Sequence, residues 1–295
     1  MKNREQASEL VVTKPWTAQS ARIFEEGRAH RLVLNYALGF NEPTLEFLRG
    51  LPIRELEIID RRLTTLEPIY SLAPTLESLH VTTHPDLKIR LTELPRLRSL
   101  GASWAQVRDT ISEVAGLDYL FLLAYKPENL EPLSSHVGLE TLRMKDRPRL
   151  SSLAGLSHFP RLQRLGIYLA SRLEDISQLR NRSEIRELEL ELCKMLTRID
   201  DLTECTGLRR LSLAENGDIE SLRPVTGLTK LEELYLYGST KILDHDLTPI
   251  AGLPRLRILR MMNRPDYEPS VDELQRRIEE IPYTLSRSES PRGEK

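Results

Sequence analysis

The stretch KLEELYLYGSTKILDHDLTPIAGLPRLRILRM, Lys230 to Met261, carries the spacing L-x-x-L-x-L twice. It falls first on Leu231, Leu234 and Leu236 and again on Leu256, Leu259 and Met261, 25 residues later. A helix repeats its apolar face about every 3.6 residues and a strand every two, so neither produces a return at that distance. A period of roughly 20 to 50 residues marks a stacked array.

The same spacing runs through the rest of the chain. Its second leucine falls at Leu32, Leu56, Leu79, Leu100, Leu120, Leu142, Leu165, Leu188, Leu211, Leu234 and Leu259, at steps of 20 to 25 residues. Two positions later the residue is apolar in every unit, from Leu34 and Ile58 to Leu236 and Met261. Three positions earlier it is Leu or Ile in every unit except the first, which has Ala29. The second half of each unit then steps by three, as in Leu150, Leu153 and Leu156 or Leu196, Ile199 and Leu202. A step of two followed by a step of three predicts a short strand and an irregular or 3₁₀ return. Pro74, Pro95, Pro160 and Pro254 stand two residues before a strand's first leucine, where a fixed φ suits strand entry. One such unit is too small to bury its own apolar side, so neighbours stack into a continuous core.

On these residues the chain resembles the leucine-rich repeat family, whose pattern L-x-x-L-x-L-x-x-N/C-x-L it follows over about Ala29 to Arg264. The best single match is LRRLSLAENGDI, Leu208 to Ile219, with Asn216 at the family's asparagine position and Cys193 at that of the preceding unit. The resemblance is to bacterial-type intracellular members with about eleven repeats of 20–25 residues. It implies an α/β-type repeat solenoid: a curved array with a parallel concave β-sheet and an irregular, 3₁₀ or short-helix convex side. In the family the asparagine satisfies buried backbone groups at the turn. Here Ala37, Arg61, His84, Ala105, Tyr125, Arg147, Ala170, Ser239 and Arg264 occupy that position, so most turns must close by other means.

A stack also needs covered ends. Residues 1–28 are expected to cap the first repeat, with Glu9–Val12 and Ala21–Glu26 as ordered pieces, before a solenoid over 29–264. Residues 265–284 are expected to close the other end through a helix. Ser270 and Glu273 have capping-box spacing, and Leu274, Ile278 and Ile281 share its apolar face. The polar tail 285–295 reads as disordered.

The 295 residues carry a formal net charge of −2, so no global field draws nucleic acid or an anionic membrane. No apolar run is long enough to span a bilayer, and none follows Met1–Gln6 as a secretory signal would require. With two cysteines, Cys193 and Cys205, the expected compartment is the reducing cytoplasm. Cys193 reads as a small buried turn residue and Cys205 as a core thiol. The nucleophile-elbow, phosphate-loop, zincin and dinucleotide motifs are absent, so no catalytic residue and no cofactor is assigned.

Two clusters keep an enzyme or metal reading open. His80 and His84 lie four apart with Asp86 close by, and Glu189 and Glu191 lie on one strand face about 7 Å apart. Asp244, His245 and Asp246 read as a loop excursion in the longest repeat. A basic patch of Arg143, Lys145, Arg147 and Arg164 keeps a nucleic-acid reading open, to be decided by salt dependence.

The outward strand positions are more informative. Arg164, Glu187, Arg210 and Glu233 alternate in sign on adjacent strands, which predicts a cross-strand ion ladder. Tyr119, Phe121, Leu123 and Tyr125 predict an exposed aromatic cluster at mid-array, with Arg143, Lys145 and Tyr168 beside it. Glu189 and Glu191 follow, and Tyr235, Tyr237 and Arg260 form a second cluster. Exposed aromatics next to arginine are typical of interface hot spots. The expected function is therefore non-catalytic binding of a folded protein partner on the concave face by a monomer, as an inhibitor, immunity-type or adaptor protein.

Overall fold

The computed structural model describes residues 9–279. The chain opens with β1 (Glu9–Val11), α1 (Ala18–Glu25), β2 (Arg31–Asn35), β3 (Glu55–Ile59), β4 (Ser78–Thr82) and β5 (Ser99–Ser103). A one-turn α2 (Trp104–Val107) follows, then β6 (Tyr119–Leu123), β7 (Thr141–Lys145), β8 (Arg164–Tyr168) and β9 (Glu187–Glu191). The last third holds β10 (Arg210–Ser212), β11 (Asp218–Ile219), β12 (Glu233–Leu236), β13 (Lys241–Ile242), α3 (Thr248–Ala251), β14 (Ile258–Met261) and α4 (Val271–Glu279). Twelve of these strands make one sheet in chain order, and β11 pairs with β13 outside it. Every pairing is parallel, and the reference leucines sit opposite one another, as in Leu56 with Leu79 and Leu120 with Leu142.

The leucine spacing produces this register directly. In a strand, residues two apart share a face, so each pair such as Leu142 and Met144 points inward while Arg143 and Lys145 point outward. The return segments are short 3₁₀ turns, among them Glu131–Leu133, Leu156–His158 and Ser177–Leu179, each with a leucine fully buried beneath the sheet. One continuous core runs from Val12 to Leu274.

Four residues past the reference leucine the backbone is left-handed in six consecutive units. Ala124, Asp146, Leu169, Leu192, Glu215 and Gly238 have φ of 52, 62, 64, 57, 57 and 72°. That conformation turns the chain off the sheet and swings the next residue into the core at Tyr125, Ala170, Cys193 and Asn216. Only Asn216 closes the turn in the family's manner. Its Nδ2 donates to Leu190 O at 2.7 Å and its Oδ1 accepts from Cys193 N at 2.8 Å. Other units use what they have. Thr240 Oγ1 donates to Leu213 O at 2.7 Å, and Tyr125 OH donates to Asn129 O at 2.9 Å. Gln106 Nε2 donates to Thr83 Oγ1 at 2.9 Å.

At the N-terminal end β1 extends the sheet by pairing with β2. Thr17 Oγ1 accepts from Ser20 N at 3.3 Å to begin α1, and Trp16 stacks on Phe47 at 4.4 Å between ring centroids. At the other end Ser270 Oγ accepts from Glu273 N at 3.3 Å, Val271 and Leu274 are buried, and Ile278 packs on the core. Ile281 and the 285–295 tail lie outside the described residues.

Candidate functional site

The outward row of each strand faces the inside of the array, where the sequence places its aromatic and charged residues. Tyr119, Phe121 and Leu123 are half-buried on β6. Tyr125, expected beside them, is fully buried instead. Strict alternation would have kept it outward, but Ala124 at φ 52° reverses the chain and seats the ring edge-on against Trp104, 4.7 Å between centroids. Burial also pushes the Tyr125 phenol well above its ordinary range.

Phe121 and Leu123 form one wall of a shallow depression of ≈ 140 Å³, with Glu57 and Ile59 opposite and His80 and Gly101 between. Gly101 makes room for the imidazole there, since a Cβ would stand 2.7 Å from His80 Nδ1 and displace the ring. The imidazole stacks on Tyr119 at 5.6 Å and its Nε2 lies 3.1 Å from Ser99 Oγ, while burial lowers its pKa. His84 falls in the turn after β4, exposed, with Nδ1 3.5 Å from Asp86. Each imidazole therefore has its own polar neighbour, Ser99 for His80 and Asp86 for His84. Among the described residues no cluster of three or more His, Cys, Asp or Glu is placed to hold a metal ion.

The second cluster is a connected network centred on Glu189, a buried carboxylate. Arg143 Nη2 reaches it at 3.0 Å from β7 and Arg210 Nε at 3.1 Å from β10, and the Tyr168 hydroxyl donates to the same carboxylate. Its strand neighbours in register are Gly166 and Ser212, whose small side chains leave room for the arginines to lean over it. Arg210 also pairs with Glu233 and lies 4.5 Å over the Tyr235 ring, whose hydroxyl donates to Glu233 at 2.9 Å. Lys145 Nζ sits 4.6 Å over Tyr168. Burial, and then the bond to Glu189, push the Tyr168 phenol well up. Hydrogen bonds to charged groups contribute about 1.5–3 kcal/mol each, so several converging on one buried carboxylate fix the side chains of four strands.

This arrangement corrects two expectations. The ion ladder is incomplete, because Arg164 donates to Thr141 Oγ1 at 2.9 Å and Arg210 reaches diagonally to Glu189. Glu189 and Glu191 are also not a free carboxylate pair: Glu189 is committed to three partners, and Glu191 accepts from Ser212 Oγ at 2.5 Å. Tyr237 and Arg260 stay exposed, Tyr237 edge-on to Tyr235 at 6.4 Å. Both thiols are buried, and that burial lifts Cys193 and Cys205 to about 12, so neither is a thiolate near neutrality. Arg210, Glu233, His80 and Ile59 belong to the concave surface but were not among the expected binding residues. The signal for Arg210 was the diagonal between neighbouring strands, one repeat on and two residues back from Glu189, and Glu233 lies directly opposite Arg210 on the next strand.

No protein-family model and no curated protein matches the sequence. The structure is similar to that of an internalin from Listeria monocytogenes, at 17% identity and TM-score 0.53, over 88% of this chain and 83% of that one. It is also similar to TLR13 in a complex with ssRNA13, at 15% identity and TM-score 0.53, over 79% of this chain and 39% of that one. With eleven in-register repeats, a parallel sheet and 3₁₀ returns, the chain has the leucine-rich-repeat fold.

Proposed function

We propose that the chain is a non-catalytic recognition module that holds a folded protein partner against its concave sheet, with residues 1–28 and 265–284 covering the ends of the stack. The observation that carries this reading is the Glu189 network. Arg143, Tyr168, Arg210 and Tyr235 are locked in position before any partner arrives, so docking orders few side chains. Half-buried aromatics and arginines sit at the centre of a sheet whose fold is widely used as an interaction scaffold. Inhibition of a partner enzyme by masking its surface, and adaptor assembly, both use such a face. Two reduced, buried thiols suit a cytoplasmic setting. No described helix is long and apolar enough to cross a membrane.

The test is affinity capture followed by cross-linking, with the wild-type chain beside the Phe121→Ala/Tyr235→Ala variant. A stoichiometric protein that cross-links to the concave rows and is lost with the variant supports the reading. Equal capture by both, with cross-links on the convex turns, rejects the concave face.

A further inference from the structure

The charges of the concave face are segregated. Across β5 to β8 the outward positions hold three cations, Arg143, Lys145 and Arg164, and no carboxylate. The acids lie to either side. On β3, Glu55 and Glu57 face Arg31 at 3.5 and 2.7 Å, and on β9 Glu189 is already held by Arg143 and Arg210. The positive region continues off the end of β7 into the left-handed turn at Asp146 and Arg147, where Arg147 and Arg149 follow Lys145 and Asp146 is the one acid among them. Lys145, Arg147 and Arg149 are exposed, and none of the three forms an ion pair among the described residues. Most other arginines on the outer turns are paired, as Arg90 is with Glu67 and Arg209 with Glu232. Next to Lys145, which pairs in register with Leu123, lies the depression over Gly101, walled by Ile59, Phe121 and Leu123, with Glu57 on its far side already paired with Arg31.

We infer that the partner enters the concave face as an acidic protein segment carrying an apolar side chain. The apolar group seats over Gly101 against Phe121 and Leu123, and the flanking carboxylates meet Lys145, Arg147 and Arg149. This assignment rests on the concave-face reading above and adds the chemistry of the segment that face takes. Cations without a carboxylate partner beside a largely apolar socket select for both features at once, and like charge on a competing segment is repelled. A long polyanion fits less well, because Glu187, Glu189 and Glu191 bound the positive region on β9 and the whole chain is net negative.

The experiment is a selection from a random dodecapeptide display library on the full chain. It is repeated on Lys145→Glu/Arg147→Glu/Arg149→Glu and on Phe121→Ser/Leu123→Ser, each first shown to melt cooperatively. The expected result on the wild type is enrichment of peptides with several Asp or Glu around one Leu, Ile or Phe. The strongest of these, synthesised with a fluorophore, should bind at least tenfold more weakly to each variant and at least tenfold more weakly at 500 mM than at 50 mM salt. Enriched peptides that are neutral or basic, yet lost with the Phe121/Leu123 variant, overturn the acidic assignment and leave the concave-face reading standing. Peptides indifferent to both variants overturn the concave face itself. A selection without enrichment, or tighter binding of a 20-nucleotide single strand lost with the charge-reversed variant, also overturns the proposal.

Discussion

Arg143 on β7 and Glu189 on β9 meet at 3.0 Å across an intervening strand, directly over Gly166. Adjacent strands lie about 4.8 Å apart, so a contact two strands away needs a long side chain and an empty position beneath it. Gly166 provides that position, and the same gap admits the Tyr168 ring. The pairing explains why the network spans β7 to β12 as one unit.

Gly166→Val should break it. A Cβ at this position would stand 3.0 Å from the Tyr168 ring and 3.3 Å from Arg143 Cγ, closer than side chains ordinarily pack, and valine adds two methyls beyond it. Overpacking of this kind costs about 1–3 kcal/mol. Urea unfolding of the variant should show a lower midpoint at unchanged slope. An unchanged midpoint would show that Arg143 and Tyr168 are free to move aside.

Glu189→Gln retains the shape and removes the charge that Arg143, Arg210 and Tyr168 surround. The expected loss is about 1–3 kcal/mol, since two guanidinium groups lose a charged acceptor. The Tyr168 phenol should also titrate lower than in the wild type while staying above an ordinary tyrosine, because burial outweighs the Glu189 bond in raising it. Tyrosine ring carbon shifts followed by NMR through alkaline pH separate the two contributions. A Tyr168 titration indifferent to the substitution would remove Glu189 from its environment.

The repeat was legible because burial of the leucines depends only on strand alternation, which is local. Leu120, Leu142 and Leu165 are read from spacing and found fully enclosed. Tyr125 was misplaced because the alternation ends at Ala124, where a left-handed residue reverses the chain without a glycine to announce it. Strand alternation alone makes Glu189 an outward charge, and its enclosure depends on Gly166 and Ser212 one repeat to either side. No property of its own neighbours in sequence carries that information. Charge placement on a sheet is settled across strands, so single rows show its composition but not its pairing.

Asn216→Ala should be among the most damaging single changes at a turn. It removes the donor to Leu190 O and the acceptor for Cys193 N, both in buried surroundings. An orphaned buried backbone group costs about 1–3 kcal/mol, so a total near 3 kcal/mol is expected by thermal or urea unfolding. Asn216→Asp can still accept from Cys193 N but cannot donate to Leu190 O, and should fall between the two. Equal stability of all three chains would show that solvent reaches the turn.

The left-handed position gives predictions of opposite sign at Leu169 and Gly238. Leu169 has φ 64° with an exposed side chain, so Leu169→Asn should stabilise by about 0.5 kcal/mol, as asparagine tolerates this region. Gly238 has φ 72°, and a Cβ there would meet the Glu215 carboxylate at 2.1 Å. Gly238→Ala should therefore destabilise by about 1–2 kcal/mol and free Ser239 N from Glu215, which now accepts from it at 3.1 Å. Melting temperatures that move in the same direction for both would contradict a shared backbone cause.

His136 makes stability depend on pH. Its ring is fully enclosed, and the polar group that acts on it is the Ile111 backbone, too poorly aligned for a good hydrogen bond. Burial, opposed only in part by the Ile111 backbone, pushes its pKa down to about 4. An unfolded histidine titrates near 6.5, so the unfolded chain takes up this proton more readily than the folded one. The contribution is complete above about pH 6.5 and is lost as pH falls toward about 4. Folding free energy should drop by about 2 kcal/mol from this group between pH 8 and pH 5. His136→Leu removes the proton site and keeps an apolar filling, so its unfolding free energy should fall less over the same range. Comparing the two chains by urea unfolding at each pH cancels the other histidines, and parallel pH profiles would exclude His136 as the source.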